Sequence, residues 1–166
     1  MTHDYTHKGG VVHTEILLPD HAPAEYTDRA VLWNEVEKIE KAKNAQLARE
    51  IEIALPRELT REQGISLVRE YVKRHFVAAG MCADICLHNT GGGNPHAHIM
   101  LTMRPFDERG EWGAKQKKEY ILDRDGNKIY DPKKRQYKCK SIPATDWNEQ
   151  TKAEEWRAAW AELCNQ

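Results

Sequence analysis

Three histidines with a distinctive spacing are the residues of this chain best suited to chemistry. His88 is followed eight positions later by His96, and His98 comes two positions after that. Residues two apart on a β-strand point to the same side of a sheet, so His96 and His98 can face a common ion. Neutral imidazoles are frequent metal ligands, and a catalytic site keeps one coordination position open. The spacing therefore predicts a catalytic metal site.

Two alternating segments must position these side chains. In residues 82–88 and 96–103, apolar residues occupy every second position, and the histidines fall on the opposite side of each run. The apolar positions are Ala83, Ile85, Leu87, Ala97, Ile99, Leu101 and Met103. The connection at 89–95 contains three glycines, which adopt the positive φ angles of tight turns without strain. Antiparallel pairing of the two runs would bring His88 beside His96 and His98.

Two other interpretations of the histidines stay open at this point. Histidines on a strand are commonly solvated or hydrogen-bonded side chains that bind no ligand. A structural zinc closed by Cys86 together with the histidines is the second alternative. One expectation favours a catalytic site over these two alternatives. Two earlier strands are expected to place His13, Glu15 and Glu52 on the same polar surface as the histidines.

The remaining elements predict how this hairpin is held. Strands are expected at 11–19 and 47–55, and a first helix from Thr27 or Asp28 to about residue 45. A second helix should follow the capping box at Thr60–Gln63, and a last helix should begin at Asp146. This order predicts one α/β (α+β) domain over residues 1–166. A largely antiparallel sheet would carry helices on one face and leave its polar face open.

Composition narrows the class of protein. Hydrophobic residues make up 40% and charged residues 31% of the chain, as in ordinary globular domains. No apolar run reaches the roughly 20 residues needed to span a bilayer, so no membrane insertion is expected. The four cysteines form no CxxC pair and predict reduced thiols in a cytoplasmic protein.

Positive charge is concentrated in residues 113–140. This segment holds ten Lys/Arg against four Asp/Glu, in a chain whose formal net charge is −1. Residues 118–131 are expected to form a β-hairpin that turns at Asp125–Gly126. Basic side chains neutralise phosphates and tyrosine rings stack on unpaired bases, so the segment is a candidate DNA contact. A solvated, charged hairpin is the alternative. The candidate DNA-binding residues are Lys115, Lys117, Lys118, Tyr120, Lys133, Lys134, Arg135 and Tyr137.

At residues 85–106 the chain resembles the MobA/MobL family of plasmid mobilisation relaxases, a branch of the HUH endonucleases. The runs GGVVHTEILLPDHAP and REIEIALPREL resemble the family as well. The resemblance implies an HUH relaxase-like fold and a divalent metal (Mn, Mg or Zn) on His88, His96 and His98. It also implies strand-specific nicking of single-stranded DNA at an origin of transfer, alongside other relaxosome or conjugation proteins. Glu52 is then a candidate base or an orienting residue.

The attacking group is not identifiable in this sequence. In the family, a tyrosine in an N-terminal Ala-Tyr-Arg-Ser segment, preceded by a first strand, forms a 5′-phosphotyrosyl link. None of the six tyrosines here has that context. We therefore expect a relaxase domain truncated at its N-terminus. A metal-stabilised module that binds single-stranded DNA without cutting it is the alternative function. A histidine-triad nucleotide hydrolase fits less well, because Met100 stands where that pattern needs histidine.

Overall fold

A four-stranded antiparallel sheet forms the centre of the protein. The structure is a computed structural model that describes residues 10–89 and 94–165. The strands lie in the order β1–β3–β4–β2. They are β1 (Val11–Leu17), β2 (Ala48–Ala54), β3 (Ala83–His88) and β4 (His96–Thr102). β3 and β4 pair antiparallel with His88 opposite His96, as the sequence predicts. Residues 90–93 of the expected turn at 89–95 lie outside the described residues, as does Tyr5.

Two helices cover one face of this sheet. They are α2 (Arg61–Val72), which continues as a π-helical turn at Lys73–Val77, and α3 (Gln150–Cys164). Their apolar side chains bury the predicted apolar positions of β3 and β4 in one core. Leu163 of α3 is buried in this core, and Trp156 and Trp160 are partly buried against it. No helix in the described part of the chain is long and apolar enough to cross a bilayer.

The first helix, α1 (Arg29–Ile39), packs on the other face. Its Leu32, Trp33 and Val36 form a second apolar cluster, against which Met100 of β4 packs. Met100 lies on the same face of the sheet as His96 and His98, because the three are separated by even numbers of residues along one strand. The fold class is confirmed, but the expectation that all helices pack on one face is wrong. The face that carries the histidines is polar at one end only, and α1 covers the other end.

β1 presents the side opposite to the one predicted. Thr14 pairs with Cys86 and Ile16 with Asp84, so Thr14 and Ile16 lie on the histidine face. His13 and Glu15 instead lie on the face covered by α2. Ile16 packs against the α1 cluster, which supplies an apolar environment on the face expected to be wholly polar. The expectation that His13 and Glu15 join the histidines is therefore wrong.

Two of the three helices predicted from the sequence begin at their predicted N-terminal caps. The Asp28 carboxylate accepts from the backbone N–H of Ala30 and caps α1. Thr60 and Gln63 form the predicted capping box, since each side chain bonds the backbone N–H of the other. Asp146 does not cap α3, which begins four residues later, and its carboxylate pairs with Lys152 instead. The first helix also ends earlier than expected, at Ile39.

Residues 116–143 form an antiparallel structure of their own, here called the arm. β5 (Gln116–Tyr120) pairs with β8 (Cys139–Pro143), and β6 (Tyr130–Asp131) pairs with β7 (Gln136–Tyr137). The predicted turn is present, since Gly126 has a φ of +82° and its N–H donates to the carbonyl of Asp123. The predicted pairing is only local: Leu122 bridges Lys128, whereas β5 takes β8 as its partner.

Candidate metal centre

The structure brings the three predicted histidines together on one face of the sheet. His88 ends β3, and His96 and His98 lie at the start of β4. The centroid of the His88 ring is 5.1 Å from that of His96 and 4.9 Å from that of His98, and the His96 and His98 centroids are 5.1 Å apart. Strand pairing causes this proximity, because His88 lies directly opposite His96 and Cys86 opposite His98.

Hydrogen bonds fix the orientation of two of these rings. The Nδ1 of His98 lies 3.0 Å from the Glu50 carboxylate, and the Nδ1 of His96 lies 3.0 Å from the carbonyl oxygen of Asn94. Both partners are acceptors, so each Nδ1 carries the proton and donates it. The lone pair of each ring is then on Nε2, which is the nitrogen with the chemistry of a metal ligand.

Glu52 completes a donor set with these two histidines. It lies opposite His98 in the β2–β4 pairing, and its side chain is exposed. One potential ligand atom from each of Glu52, His96 and His98 lies within 4.8 Å of the other two. Imidazole nitrogens and a carboxylate oxygen suit Zn²⁺ or Mn²⁺, and the carboxylate also suits Mg²⁺. The residues present therefore fit a divalent cation.

His88 differs from the other two histidines in its surroundings. It is buried, and its Nε2 lies 3.5 Å from the thiol sulfur of Cys86. Its ring is stacked nearly parallel to that of His96, with 5° between the ring planes. Glu52, His96 and His98 would hold the ion, and the His88 ring lies against that of His96 beside them.

The segment between β2 and α2, and the start of α2, add basic residues that sequence reasoning missed. The Arg57 guanidinium donates to the side-chain oxygen of Asn94 at 2.8 Å, so it lies next to the loop that orients His96. A cleft of about 250 Å³ is lined by His88 together with Arg57 and Arg61. Glu50 was also missed as an orienting group, although its spacing of two from Glu52 places both on one side of β2.

The candidate DNA-binding residues lie on the arm, with one exception. Lys117, Lys118 and Tyr120 are exposed on β5, Tyr137 is exposed on β7, and Lys133 to Arg135 form the exposed turn between β6 and β7. The Lys128 ammonium lies 4.0 Å from the centre of the Tyr120 ring. Lys115 is different, because its ammonium pairs with the buried carboxylate of Glu40.

The described tyrosines separate into two groups. Tyr26 and Tyr71 are buried in the two apolar clusters, where they serve as core residues. The Tyr71 hydroxyl donates to the carbonyl of Trp156 at 2.7 Å, and burial raises the pKa of Tyr71 to about 12. Tyr120, Tyr130 and Tyr137 are exposed on the arm. The nucleophile therefore stays unassigned among the residues that the structure describes.

Comparison with known proteins gives one consistent result. The MobA/MobL family profile matches residues 1–166. The chain is 37% identical to a probable mobilization protein MobA of Bifidobacterium longum, over 99% of this chain and 32% of that protein. It is 47% identical to the conjugal transfer protein TraA of Agrobacterium fabrum, over 77% of this chain and 12% of that protein. The chain thus spans a third or less of the length of these two relatives.

A solved structure shares the fold. Its description reads "Molecular Basis of Vancomycin Resistance Transfer in Staphylococcus aureus". The match has a TM-score of 0.77 and 34% sequence identity, and it covers 98% of this chain and 71% of that one.

Proposed function

The chain belongs to the MobA/MobL family, and from this premise we propose that it acts in conjugative mobilisation by nicking one DNA strand at an origin of transfer. The substrate is single-stranded DNA, and the site is the cluster of His88, His96 and His98 with Glu52. Other relaxosome or conjugation proteins are the further partners. The reduced thiols expected from the sequence favour the cytoplasm as the place of this reaction.

One observation carries the proposal: three imidazole rings with centroids about 5 Å apart share a surface with a carboxylate. When bound there, a divalent ion supplies positive charge that polarises a phosphate oxygen. Glu50 and the Asn94 carbonyl hold the His98 and His96 rings in place. Glu52 is exposed beside them, and it could either bind the metal ion or accept a proton from the attacking hydroxyl.

The arm supports the choice of a polyanionic substrate. Five of its candidate contacts are the exposed cations Lys117, Lys118, Lys133, Lys134 and Arg135. Tyr120 and Tyr137 add exposed rings on which bases can stack. Lys115 is left out of this proposed contact, since its ammonium is engaged by the Glu40 carboxylate and the carbonyl of Gln46.

Metal binding is tested first. The His96→Ala variant should bind Mn²⁺ at least about tenfold more weakly than the wild type, by titration calorimetry. His21→Ala, which removes an exposed histidine far along the chain from the cluster, is the matched control. Equal Mn²⁺ affinity in all three proteins would rule out the proposed centre.

The reaction is tested with the full chain, Mn²⁺ and a single-stranded oligonucleotide from a plasmid origin of transfer. A protein–DNA adduct that survives SDS and disappears in His96→Ala supports nicking through a covalent link. Binding of the oligonucleotide without any adduct supports the alternative, a metal-stabilised module that holds DNA uncut. Failure to bind the oligonucleotide contradicts both.

A further inference from the structure

A buried carboxylate at the base of the arm connects four separate parts of the chain. Glu40 follows α1, and only 3% of its side chain is exposed. One carboxylate oxygen accepts from the Arg104 guanidinium, just after β4, and the other pairs with the ammonium of Lys115, just before β5. The same ammonium donates to the carbonyl of Gln46, ahead of β2, at 2.8 Å.

These contacts fix the point where the arm leaves the body. Arg104 also donates to the carbonyl of Gly113, and the N–H of Gly113 donates to the carbonyl of Pro105. The carbonyl of Lys115 accepts from the N–H of Ala144, which joins the two ends of the arm. The strands of the arm pair with each other in two two-stranded sheets, both separate from β1–β4. Its direction is therefore set at its base.

The carboxylate is charged in this setting. Burial acts to raise the pKa of Glu40, but the hydrogen bonds from Arg104 and Lys115 outweigh it and hold that pKa below its ordinary value. A buried charge with both oxygens paired resists rearrangement, because separating it from either cation leaves an unpaired charge away from water.

From this geometry we propose that Glu40 is the positioning residue that aims the arm, and so sets where bound DNA lies relative to the histidine cluster. The inference rests on the proposed contact between the arm and DNA. β4 begins at the histidines and ends beside Arg104, so about 20 Å of strand separates the cluster from the base of the arm. β5 is about 17 Å long, and a tilt of about 15° at its base would move its far end by roughly 4 Å, about one base step.

The test compares two variants with the same change in charge. Glu40→Gln breaks the junction, whereas Glu119→Gln removes an exposed carboxylate of the arm that pairs with Lys140 at 3.4 Å. Electrostatics alone predicts equal or slightly tighter DNA binding in both. We expect Glu40→Gln to bind the origin-of-transfer oligonucleotide at least about threefold more weakly, and Glu119→Gln to bind as the wild type does.

Hydrogen exchange separates positioning from general destabilisation. In Glu40→Gln, the amides of Gly113 and Ala144 should exchange at least about tenfold faster, while those of β3 and β4 keep wild-type rates. If Glu40→Gln does not fold, Lys115→Met should speed the same two amides and Lys115→Arg should restore them.

Each failure has a separate meaning. Equal DNA affinity and equal junction exchange in Glu40→Gln and Glu119→Gln would overturn the role of Glu40. Faster exchange throughout β3 and β4 would overturn it as well, since that identifies a general stabilising residue. Absence of DNA binding by the wild type would contradict the proposed function, and the exchange rates would still decide whether Glu40 fixes the arm.

Discussion

Two acceptors, the Glu50 carboxylate and the Asn94 carbonyl, decide which nitrogen of each neighbouring histidine carries the proton. Both lie 3.0 Å from an Nδ1 atom, so both Nε2 atoms carry lone pairs. An imidazole held in one tautomer and one orientation binds a metal with less loss of freedom than a mobile ring. At the scale of single residues, the candidate centre is therefore prepared by groups that need not touch the metal.

Replacing Glu50 tests this preparation. Glu50→Ala should lower Mn²⁺ affinity by about tenfold, because His98 loses the acceptor that fixes its tautomer. Titration calorimetry gives the dissociation constant. The exposed Glu58 serves as control, and Glu58→Ala should leave the affinity unchanged. A Glu50→Ala protein with wild-type affinity would show that His98 is oriented without it.

At the scale of elements, an ion pair joins β1 to α2. The Arg69 guanidinium donates to both oxygens of Glu15, at 2.8 and 2.6 Å, and His13 lies 2.9 Å from the same carboxylate. The hydrogen bond from Arg69 is the main reason that the pKa of Glu15 is below its ordinary value of 4.5. This contact accounts for the position of Glu15 on the helix-covered face.

The Glu15–Arg69 pair predicts a pH-dependent stability. A carboxylate with a lowered folded pKa stabilises the protein above its unfolded pKa, near 4.5, and this stability is lost as the pH falls through the folded value. Glu15→Gln should cost about 1–2 kcal/mol in free energy of unfolding at pH 7. The gap should narrow below about pH 4.5 in urea titrations.

The control for Glu15 is the exposed Glu70–Arg74 pair of α2. Glu70→Gln should change the free energy of unfolding by less than about 0.5 kcal/mol at every pH, because solvent screens exposed pairs. A constant gap between Glu15→Gln and the wild type from pH 7 to pH 3 would contradict the assigned contact.

The arm gives the second prediction at this scale. Reversing the charges of Lys133, Lys134 and Arg135 to Glu should flatten the dependence of log affinity on log salt for single-stranded DNA. Each lost phosphate contact lowers the slope by about 0.7. Binding isotherms at several salt concentrations measure it. Charge reversal at Lys73, Arg74 and Arg157, exposed cations of the π-helical turn after α2 and of α3, should keep the slope.

At the scale of the whole molecule, the sheet separates two tasks. One end of its histidine face is open and carries the candidate metal centre, while α1 covers the other end, from which the arm leaves. The opposite face is buried under α2 and α3 and supplies the main core. The histidines therefore sit on a surface whose shape is fixed from behind by close packing.

Metal should therefore stabilise the entire domain. A ligand at 100 times its dissociation constant adds about 2.7 kcal/mol, which raises the Tm of a domain of this size by roughly 5–10 °C. Calorimetry with and without Mn²⁺, and after EDTA, measures the shift. His96→Ala should show little or no shift. An equal shift in wild type and His96→Ala would place metal binding elsewhere on the protein.

Local pattern in the sequence determined much of this architecture. The spacing of the histidines and the period of two in β3 and β4 predicted the hairpin and the meeting of the rings. Asp28 and the Thr60–Gln63 box marked two helix starts. These features follow from backbone geometry over a few residues, so neighbouring side chains are sufficient to encode them.

Only the tertiary structure decided which side of each element faces which partner. In β1, the side that carries Glu15 faces Arg69 and the side that carries Ile16 faces α1. The period of two along a strand shows which residues share a side, whereas contacts with residues distant in sequence decide which side faces which partner. β5 paired with β8 for the same reason. Lys115 became an anchor when folding placed it beside a buried carboxylate, which no spacing along the chain reveals.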